Sequence, residues 1–391
     1  MPLLTQLPPL SLYIHFPWCV QKCPYCDFNS HEQKSTLAEA EYINQLLNDF
    51  ENDLPLVWGR KITSIFMGGG TPSLFSPESI ETLLAGIRAR ISVSPSAEIT
   101  LEANPGTLEN ERLAGFREAG INRISLGVQS FNDGHLSKLG RIHDSKTAIK
   151  AIEMAKGAGF GKLNIDLMFA LPNQTIEQAM YDIETAISLN PSHISYYQLT
   201  IEPNTAFFNK PPTLPDDDAS WDIFESGQRL LSNAGFKQYE VSAYAKQDQQ
   251  CHHNVNYWQF GDYLGIGAGA HAKITDGSKQ TITRYWKYKH PKDYTKVNAK
   301  GVEKSYIAGS REIDNNELVF EFLMNALRLN EGFNINTYLT HTGLSKELLI
   351  KNLQIPMDQK LVHWNKTNDV INTTETGKKF LNEILQQCLP D

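Results

Sequence analysis

The sequence predicts an α/β protein in which a mostly parallel sheet is followed by a small, separate C-terminal domain. Six short runs of apolar and β-branched residues recur at intervals of roughly thirty residues, with amphipathic segments of helical period between them. Strands that alternate with helices need crossover connections, so neighbouring strands run parallel. Six or seven such units build either an open doubly wound sheet or a partly closed barrel. In both, functional residues gather at the carboxyl ends of the strands.

The predicted elements alternate regularly over the first 240 residues. Strands are expected at residues 12–16, 63–67, 98–102, 123–128, 162–168 and 193–199. Helices are expected at residues 37–51, 77–90, 109–119, 146–158, 175–189 and 219–234. A stretch rich in Pro and Asp at residues 211–218 precedes the last of these helices, and it predicts Asp218 as the N-cap.

The pattern changes after residue 240. A strand-like run at residues 239–244 is followed by a glycine-rich turn at 261–271. The density of lysine then rises from residue 273 to residue 304, which we interpret as a connection that crosses the barrel.

The last eighty residues read as a domain of their own. Helical patterns at 318–329 and 375–387 enclose a hairpin-like segment at 360–371. This order of elements is typical of a small winged-helix-like domain. We therefore expect a barrel over residues 1–240, a connecting region over 241–311 and a mostly helical domain over 312–391.

Composition and charge exclude several classes of protein. The chain has 391 residues, 44 acidic and 36 basic side chains and a formal net charge of −8, so it offers no general attraction to nucleic acid. Its hydrophobic share of 41% suits a folded enzyme rather than a disordered chain. No apolar run reaches the roughly 18 residues that a membrane span needs. The start of the chain also lacks the cationic residues of a secretory signal, so we expect a cytoplasmic protein.

Three of the five cysteines lie close together, directly after the first predicted strand. Cys19, Cys23 and Cys26 form a C-x3-C-x2-C loop, and the total is too small for a disulfide framework. A four-iron cluster ordinarily takes four cysteine ligands. Three thiolates would therefore leave one iron open to a small chelating ligand.

Other interpretations of this loop stay open on the residues alone. A closed zinc site would need a fourth ligand, for which His15 or His31 is available. Cys23 and Cys26 match a glutaredoxin-type redox pair, although such proteins are much shorter and have no use for Cys19. A covalent heme attachment needs His after the last cysteine, and this chain has Asp there.

The cysteine loop and the glycine run at residues 68–70 together resemble the radical S-adenosylmethionine (SAM) superfamily. In that superfamily the loop holds a [4Fe-4S] cluster, SAM chelates the open iron, and the glycine run binds the SAM amino group. From Tyr13 to the C-terminus the chain is similar to the coproporphyrinogen III oxidase-like family. The resemblance implies a partial (β/α)6 TIM-like barrel with a small winged-helix-like C-terminal domain.

The same resemblance implies which residues bind SAM. Tyr13, Gly69 and Glu102 match positions that contact the cluster-bound SAM. The remaining SAM-pocket residues, where the oxidase holds a second SAM, are matched by Tyr25, Gly70, Thr71, Gln129, Arg141, Asp166 and Thr200. Carboxylates can hold ribose hydroxyls, and an arginine can bind a carboxylate through two parallel hydrogen bonds.

Three departures separate the chain from the oxidase itself. The oxidase has a fourth cysteine two residues beyond Cys26, where this chain has Phe28. It also has a longer segment before the position of Tyr13. Finally, residues 253–258 read H-N-x-x-Y-W, a motif that the oxidase lacks and that the heme chaperones of the family carry.

This motif implies that His253 contacts heme, with Tyr257 and Trp258 as motif neighbours. A neutral imidazole ligates heme iron, and the two rings offer flat apolar surface to a porphyrin. On the residues alone, the alternative is ordinary packing of a core or surface histidine and two aromatic side chains. Cys251 and His252 are adjacent candidate ligands.

The resemblance therefore predicts a heme chaperone that carries a SAM-ligated [4Fe-4S] cluster and passes heme to recipient apo-hemoproteins. The cluster is expected to gate assembly or transfer rather than catalytic turnover. The alternative is an oxygen-independent coproporphyrinogen III oxidase, and a third hypothesis is a radical SAM enzyme with another substrate. A homodimer and peripheral contact with membrane heme proteins are compatible with a carrier.

Overall fold

A twelve-stranded sheet is the largest sheet among the described residues. The computed structural model describes Leu4, residues 6–297 and residues 305–390. Within these residues the strands are β1 (Leu10–Phe16), β2 (Trp18–Cys19), β3 (His31–Glu32), β4 (Lys61–Gly69), β5 (Ser92–Ala103), β6 (Arg123–Gln129), β7 (Lys162–Phe169), β8 (His193–Gln198), β9 (Lys237–Glu240), β10 (Ala243–Ala245), β11 (Asp262–Ile266), β12 (His271–Asp276), β13 (Thr281–Lys287), β14 (Ile307–Glu312), β15 (Phe333–Asn334), β16 (Val362–Asn365) and β17 (Val370–Thr373).

Helices connect and cover these strands. They are α1 (Glu39–Asp53), α2 (Pro77–Arg90), α3 (Asn110–Ala119), α4 (Asp133–Lys138), α5 (Ser145–Gly157), α6 (Ile176–Ser188), α7 (Ala206–Asn209), α8 (Asp217–Asn233), α9 (His252–Trp258), α10 (Pro291–Thr295), α11 (Asn315–Ala326), α12 (Ile335–Thr342), α13 (Lys346–Asp358), α14 (Glu375–Lys379) and α15 (Leu381–Gln387). Three short 3-10 helices add turns at Leu54–Val57, Pro72–Leu74 and Pro105–Thr107.

A parallel sheet of seven strands forms the centre of the barrel. Its order is β11-β1-β4-β5-β6-β7-β8, so the carboxyl ends of these strands meet on one side. Antiparallel strands extend it, with β12, β13 and β14 beyond β11 and β10 and β9 beyond β8. In β1, six of seven side chains are buried, as expected for a strand covered on both faces.

The predicted α/β barrel is confirmed, and the six predicted strands correspond to β1, β4, β5, β6, β7 and β8. The predicted N-cap at Asp218 is wrong. Helix α8 begins at Asp217, and the carboxylate of Asp216 accepts a hydrogen bond from the Ala219 amide at 2.8 Å.

The prediction that residues 273–304 form a connection across the barrel is wrong for residues 273–297. Residues 298–304 lie outside the described residues. The glycine-rich turn conceals β11, a buried parallel strand, and the lysine-rich stretch contains β12 and β13. The lysines made β12 and β13 look like an exposed connection, because a lysine in the sequence is normally expected at the surface. Two of these lysines are buried in the strands. Lys273 pairs with Asp262 at 2.9 Å, and Lys287 pairs with Asp49 at 2.6 Å.

The C-terminal helices pack around a second hydrophobic core. Phe322, Tyr338 and Leu353 lie in its centre, and Phe260 joins it from the barrel. A three-stranded sheet of order β15-β17-β16 contains the predicted hairpin, in which β16 and β17 run antiparallel. The predicted last helix is divided into α14 and α15 at Phe380.

A buried ion network fixes β13 to α1. The Lys287 ammonium contacts Asp49 at 2.6 Å and Asp53 at 2.7 Å, and all three side chains are buried. The Tyr294 hydroxyl donates a further hydrogen bond to Asp49 at 2.6 Å. Lys287 is therefore the cation that compensates both buried carboxylates, while Asp49 has the Tyr294 hydroxyl as a neutral donor in addition.

We expect Lys287→Met to lower the free energy of unfolding by about 3–5 kcal/mol, because it leaves two buried carboxylates without their cation. Denaturant titration at neutral pH measures this loss. The control is Lys279→Met, whose exposed lysine pairs with Asp276 at the surface. It should change stability by less than about 0.5 kcal/mol. Equal effects of the two substitutions would contradict the role of the buried network.

Candidate functional site

The cysteine loop is closed at its base by two very short strands. Trp18 and Cys19 of β2 pair in parallel with His31 and Glu32 of β3, so the chain between them forms a loop at the carboxyl end of β1. Within the loop, the Cys26 amide donates to the Cys23 carbonyl at 3.2 Å. All three cysteines are free and half-buried.

The glycine turn after β4 packs directly against this loop. The amides of Gly70 and Thr71 donate to the carbonyls of Phe16 and Trp18, both at 2.7 Å. A Cβ on Gly70 would lie 2.4 Å from the Trp18 carbonyl oxygen, and Gly69 has a φ of +107°, which favours glycine. The glycines therefore let two strand ends approach more closely than side chains would allow.

A cavity of about 520 Å³ opens beside the cysteine loop. It brings together most of the residues that the sequence predicted for the cluster and SAM. Those lining it are Cys19, Cys23, Tyr25, Cys26, Gly69, Gly70, Thr71, Glu102, Gln129, Arg141, Asp166 and Thr200. We call this space the cysteine cavity. Tyr13 is the predicted SAM residue that does not line it.

Sequence reasoning missed part of the wall of the cysteine cavity. Ser125 lies on β6, Ser195 and Tyr197 lie on β8, and Arg328 comes from the C-terminal domain. Alternation along the strands could have indicated the serines, because residues two positions apart share a face. No local signal links Arg328 to the barrel.

Arg141 connects the cysteine loop to β6. Its guanidinium donates to the Gly127 carbonyl at 2.7 Å and to the Cys23 sulfur at 3.6 Å, while its buried Nε has no partner among the described residues. Burial opposes the positive charge, but Tyr25 and Cys23 hold the pKa of Arg141 above its ordinary value. The arginine can therefore neutralise a thiolate and still offer a donor to a ligand.

Two half-buried carboxyl groups, Glu102 on β5 and Asp166 on β7, line the cysteine cavity. Burial, and then the nearby Asp166, raise the pKa of Glu102 to about 8, although the Gly69 amide donates to it at 3.3 Å. Burial also raises the pKa of Asp166, which accepts from Asn164 at 2.7 Å and from Ser125 at 3.2 Å. Glu102 is consequently mostly protonated at neutral pH.

A second cavity, of about 830 Å³, adjoins the first. We call it the histidine cavity, because His15, His31, His253 and His271 all line it. Its wall also contains the predicted residues Tyr13 and Tyr257, and it shares Gly69, Glu102 and Phe28 with the cysteine cavity.

Helix α9 contributes residues to the walls of both cavities. His253 and Tyr257 face the histidine cavity, whereas Asn254 and Trp258 face the cysteine cavity. Residues four apart share a face of a helix, so the motif presents two pairs on adjacent faces. The two aromatic motif residues therefore line different cavities and do not form one surface.

The buried carboxylate of Glu98 on β5 holds the start of α9. It accepts from the His252 amide at 2.9 Å, the His253 amide at 3.4 Å and the Cys251 thiol at 3.4 Å. Burial raises the pKa of Glu98, but Arg123 and Lys162 bring it below the ordinary value. An ionised acceptor therefore receives the first amides of the helix.

His253 is 8% exposed, and its ring packs against Phe66 in a tilted arrangement with the ring centres 5.1 Å apart. Its Nδ1 contacts the Ser64 hydroxyl at 3.2 Å, and its Nε2 has no partner among the described residues. Burial lowers the pKa of His253 to about 4, so the ring is neutral at neutral pH. By contrast, burial raises the pKa of Cys251 to about 12, and exposed His252 lines neither cavity.

Trp258 packs against the C-terminal domain. The Arg328 guanidinium lies 4.4 Å from the centre of its ring and contacts Glu240 at 3.4 Å. The indole Nε1 of Trp258 and the Nε of Arg328 are both buried, and neither has a partner within the described ranges. The C-terminal domain thus helps to close the cysteine cavity.

Known proteins resemble this chain over nearly its whole length. The family model of the Radical SAM superfamily matches residues 13–186. The heme chaperone HemW of Haemophilus influenzae is 52% identical over 392 residues, and that of Escherichia coli is 48% identical over 390 residues. Each alignment covers 99% of this chain and 100% of the relative. The chain belongs to the HemW family of radical SAM proteins.

A solved structure shows the same fold. Coproporphyrinogen III oxidase from Escherichia coli superposes with a TM-score of 0.81 at 23% identity, covering 98% of this chain and 90% of the oxidase. The resemblance inferred from the cysteine loop, the glycine run and the H-N-x-x-Y-W motif is therefore confirmed. None of the described helices is long and apolar enough to cross a membrane.

Radical SAM proteins carry a [4Fe-4S] cluster and SAM, and the cysteine cavity of this HemW family member fits them. Among the described residues, no three His, Cys, Asp or Glu side chains converge as a single metal ion requires. A four-iron cluster places each thiolate on a different iron and needs no such convergence. Burial raises the pKa of Cys19 and Cys26, so cluster binding must release protons.

The raised pKa of Glu102 predicts a pH dependence of stability in the ligand-free protein. The folded state holds a proton on Glu102 that the unfolded state releases near pH 4.5, so stability falls as pH rises towards about 8. We expect wild type to lose up to a few kcal/mol relative to Glu102→Gln between pH 5 and pH 8. Denaturant titrations across this range measure the difference. Exposed Glu153→Gln is the control, and a pH profile for Glu102→Gln that parallels wild type would contradict the assignment.

Proposed function

We propose that this protein is a heme chaperone, which binds heme and transfers it to apo-hemoproteins while carrying a SAM-ligated [4Fe-4S] cluster. The observation that carries the proposal is His253, a neutral buried histidine that lines a cavity beside the cysteine loop and whose Nδ1 is bound by Ser64. The relatives that match this chain from end to end are named heme chaperones, which supports the same conclusion.

The histidine cavity has the chemistry that a porphyrin requires. Tyr13 and Tyr257 provide flat aromatic surface, and Phe66 supports the His253 ring from behind. Lys22 and Lys289 line the same cavity and offer positive charge to propionate groups. A heme placed there would meet an imidazole, aromatic faces and cations together.

We assign the cysteine cavity to the cofactors. Cys19, Cys23 and Cys26 would hold the cluster, which when bound supplies an electron for cleavage of SAM. Glu102 and Asp166 would accept ribose hydroxyls or face the cationic part of SAM, and Arg141 would bind its carboxylate. The other predicted residues that line this cavity would shape the SAM pocket; they are Tyr25, Gly69, Gly70, Thr71, Gln129 and Thr200. Tyr13, which was predicted to contact SAM, lines the histidine cavity instead.

Separation of the two cavities favours a carrier over a porphyrin oxidase. Cargo bound beside His253 would contact a different face of α9 from the one that carries Asn254 and Trp258, with Gly69 and Glu102 at the shared wall. The cluster could then gate loading or transfer without consuming the cargo. We expect a cytoplasmic protein whose recipients are apo-hemoproteins, and a homodimer is compatible with this role.

Anaerobic hemin titration of the cluster-reconstituted protein, followed by gel filtration at the Soret wavelength, tests this function. Wild type should retain stoichiometric heme, and His253→Ala should lose most of it, because the iron loses its nitrogen ligand. His252→Ala is the matched control, since the neighbouring histidine is exposed and lines neither cavity.

Two results would contradict the chaperone. Heme retained equally by wild type and His253→Ala would remove His253 from the heme site. Absence of retained heme, together with anaerobic conversion of coproporphyrinogen III to protoporphyrinogen, would establish the oxidase instead.

A further inference from the structure

The His253 ring is connected to the barrel wall by a chain of three polar side chains. Its Nδ1 lies 3.2 Å from the Ser64 hydroxyl, and Ser64 lies 2.8 Å from the Ser11 hydroxyl. Ser11 in turn accepts from the Asn256 amide nitrogen at 2.8 Å. Ser11 and Ser64 are adjacent residues of the parallel strands β1 and β4, and each is 1% exposed.

The orientation of the Asn256 amide sets the direction of this chain. Its nitrogen also contacts the main-chain carbonyl of Asp262 at 3.1 Å. A carbonyl only accepts hydrogen bonds, so the amide nitrogen and not the amide oxygen must face Asp262 and Ser11. Asn256 is therefore the donor at the start of the chain.

Each of the two serine hydroxyls then has one acceptor left to which it can donate. Ser11 already accepts from Asn256, and Ser64 is its other contact among the described residues. Ser11 therefore donates to Ser64, and Ser64 donates to the Nδ1 of His253. A neutral imidazole that accepts at Nδ1 carries its proton on Nε2.

We propose that Asn256, Ser11 and Ser64 form a positioning relay that holds unloaded His253 as the Nε2–H tautomer and thereby weakens its hold on heme iron. This inference rests on the proposed function only for the identity of the cargo. The relay is a property of the unloaded chain.

Iron ligation at Nε2 works against the relay. The Nε2 proton must leave to solvent and a proton must be taken up at Nδ1, which then donates to Ser64. Ser64 turns its own proton to Ser11, which now faces two donors and has no acceptor for its hydroxyl among the described residues. A buried hydroxyl without an acceptor is unfavourable, so cargo is held less tightly than an unopposed histidine would hold it.

The isosteric change Asn256→Asp reverses the relay. A carboxyl group, whether ionised or protonated towards Asp262, offers an oxygen to Ser11. Ser11 then donates to that oxygen, Ser64 donates to Ser11, and Nδ1–H donates to Ser64. The lone pair of Nε2 faces the histidine cavity before heme arrives.

Selective ¹⁵N-histidine labelling and long-range ¹H–¹⁵N NMR of the heme-free protein measure the tautomer directly. The signal of His253 is the one absent from His253→Gln. Wild type should show protonated Nε2, Asn256→Asp should show protonated Nδ1, and Asn132→Asp, a change at a distant helix cap, should match wild type. A wild-type Nδ1–H tautomer, or no change in Asn256→Asp, would overturn the relay.

Heme release to excess apomyoglobin provides the second readout. Asn256→Asp should release heme about two- to tenfold more slowly than wild type, the factor that one correctly paired buried hydrogen bond supplies. An unchanged release rate would overturn the effect on cargo. If wild type binds no heme, the proposed function fails, while the NMR result still decides the relay.

Ser64→Ala keeps the test decisive if Asn256→Asp does not fold. Removing the hydroxyl removes the donor to Nδ1, so both tautomers of His253 should then appear. A single Nε2–H tautomer in Ser64→Ala would contradict the relay.

Discussion

The arrangement of both cavities depends on the ionised, buried carboxylate of Glu98. Glu98 lies on β5, close to the middle of the barrel wall, and it receives the first two amides of α9 and the Cys251 thiol. These bonds fix how α9 is rotated, and the rotation decides that His253 and Tyr257 face one cavity while Asn254 and Trp258 face the other. Lys162 contacts the same carboxylate at 3.3 Å, so a charge that would be costly in isolation is compensated. The buried carboxylate of Glu98 thus holds the motif helix in one orientation.

The cysteine cavity was largely predictable because its residues follow strands of a parallel sheet. Cys19, Gly69, Glu102, Gln129 and Asp166 come from five different elements, and parallel topology brings strand ends to one side regardless of their separation in sequence. The division of the H-N-x-x-Y-W motif was not predictable. It depends on the rotation of a seven-residue helix about a carboxylate some 150 residues earlier in the chain, and Arg328 reaches Trp258 from another domain. The spacing of residues within the motif reveals neither the contact with Glu98 nor the contact with Arg328.

The strands after α9 show a second limit of sequence patterns. Composition ranks lysine as a surface residue, yet Lys273 and Lys287 are almost fully buried in β12 and β13. Lys273 pairs with the buried Asp262, and Lys287 pairs with the buried Asp49. The opposite charges compensate each other, so each pair can be accommodated in the interior. A pattern of apolar residues cannot reveal such a strand, because the compensating charge lies elsewhere in the sequence.

Glu102 connects the electrostatics of the two cavities. Glu102 belongs to both cavities and is protonated at neutral pH because it is buried and faces Asp166. A ligand that brings positive charge into the cysteine cavity, as the sulfonium and ammonium groups of SAM do, favours the ionised form and lowers the pKa of Glu102. Ionisation of Glu102 then changes the electrostatic potential in the histidine cavity, where the His253 ring is neutral. If SAM binds in the cysteine cavity and heme beside His253, as proposed, one proton on Glu102 would link the two sites without movement of α9.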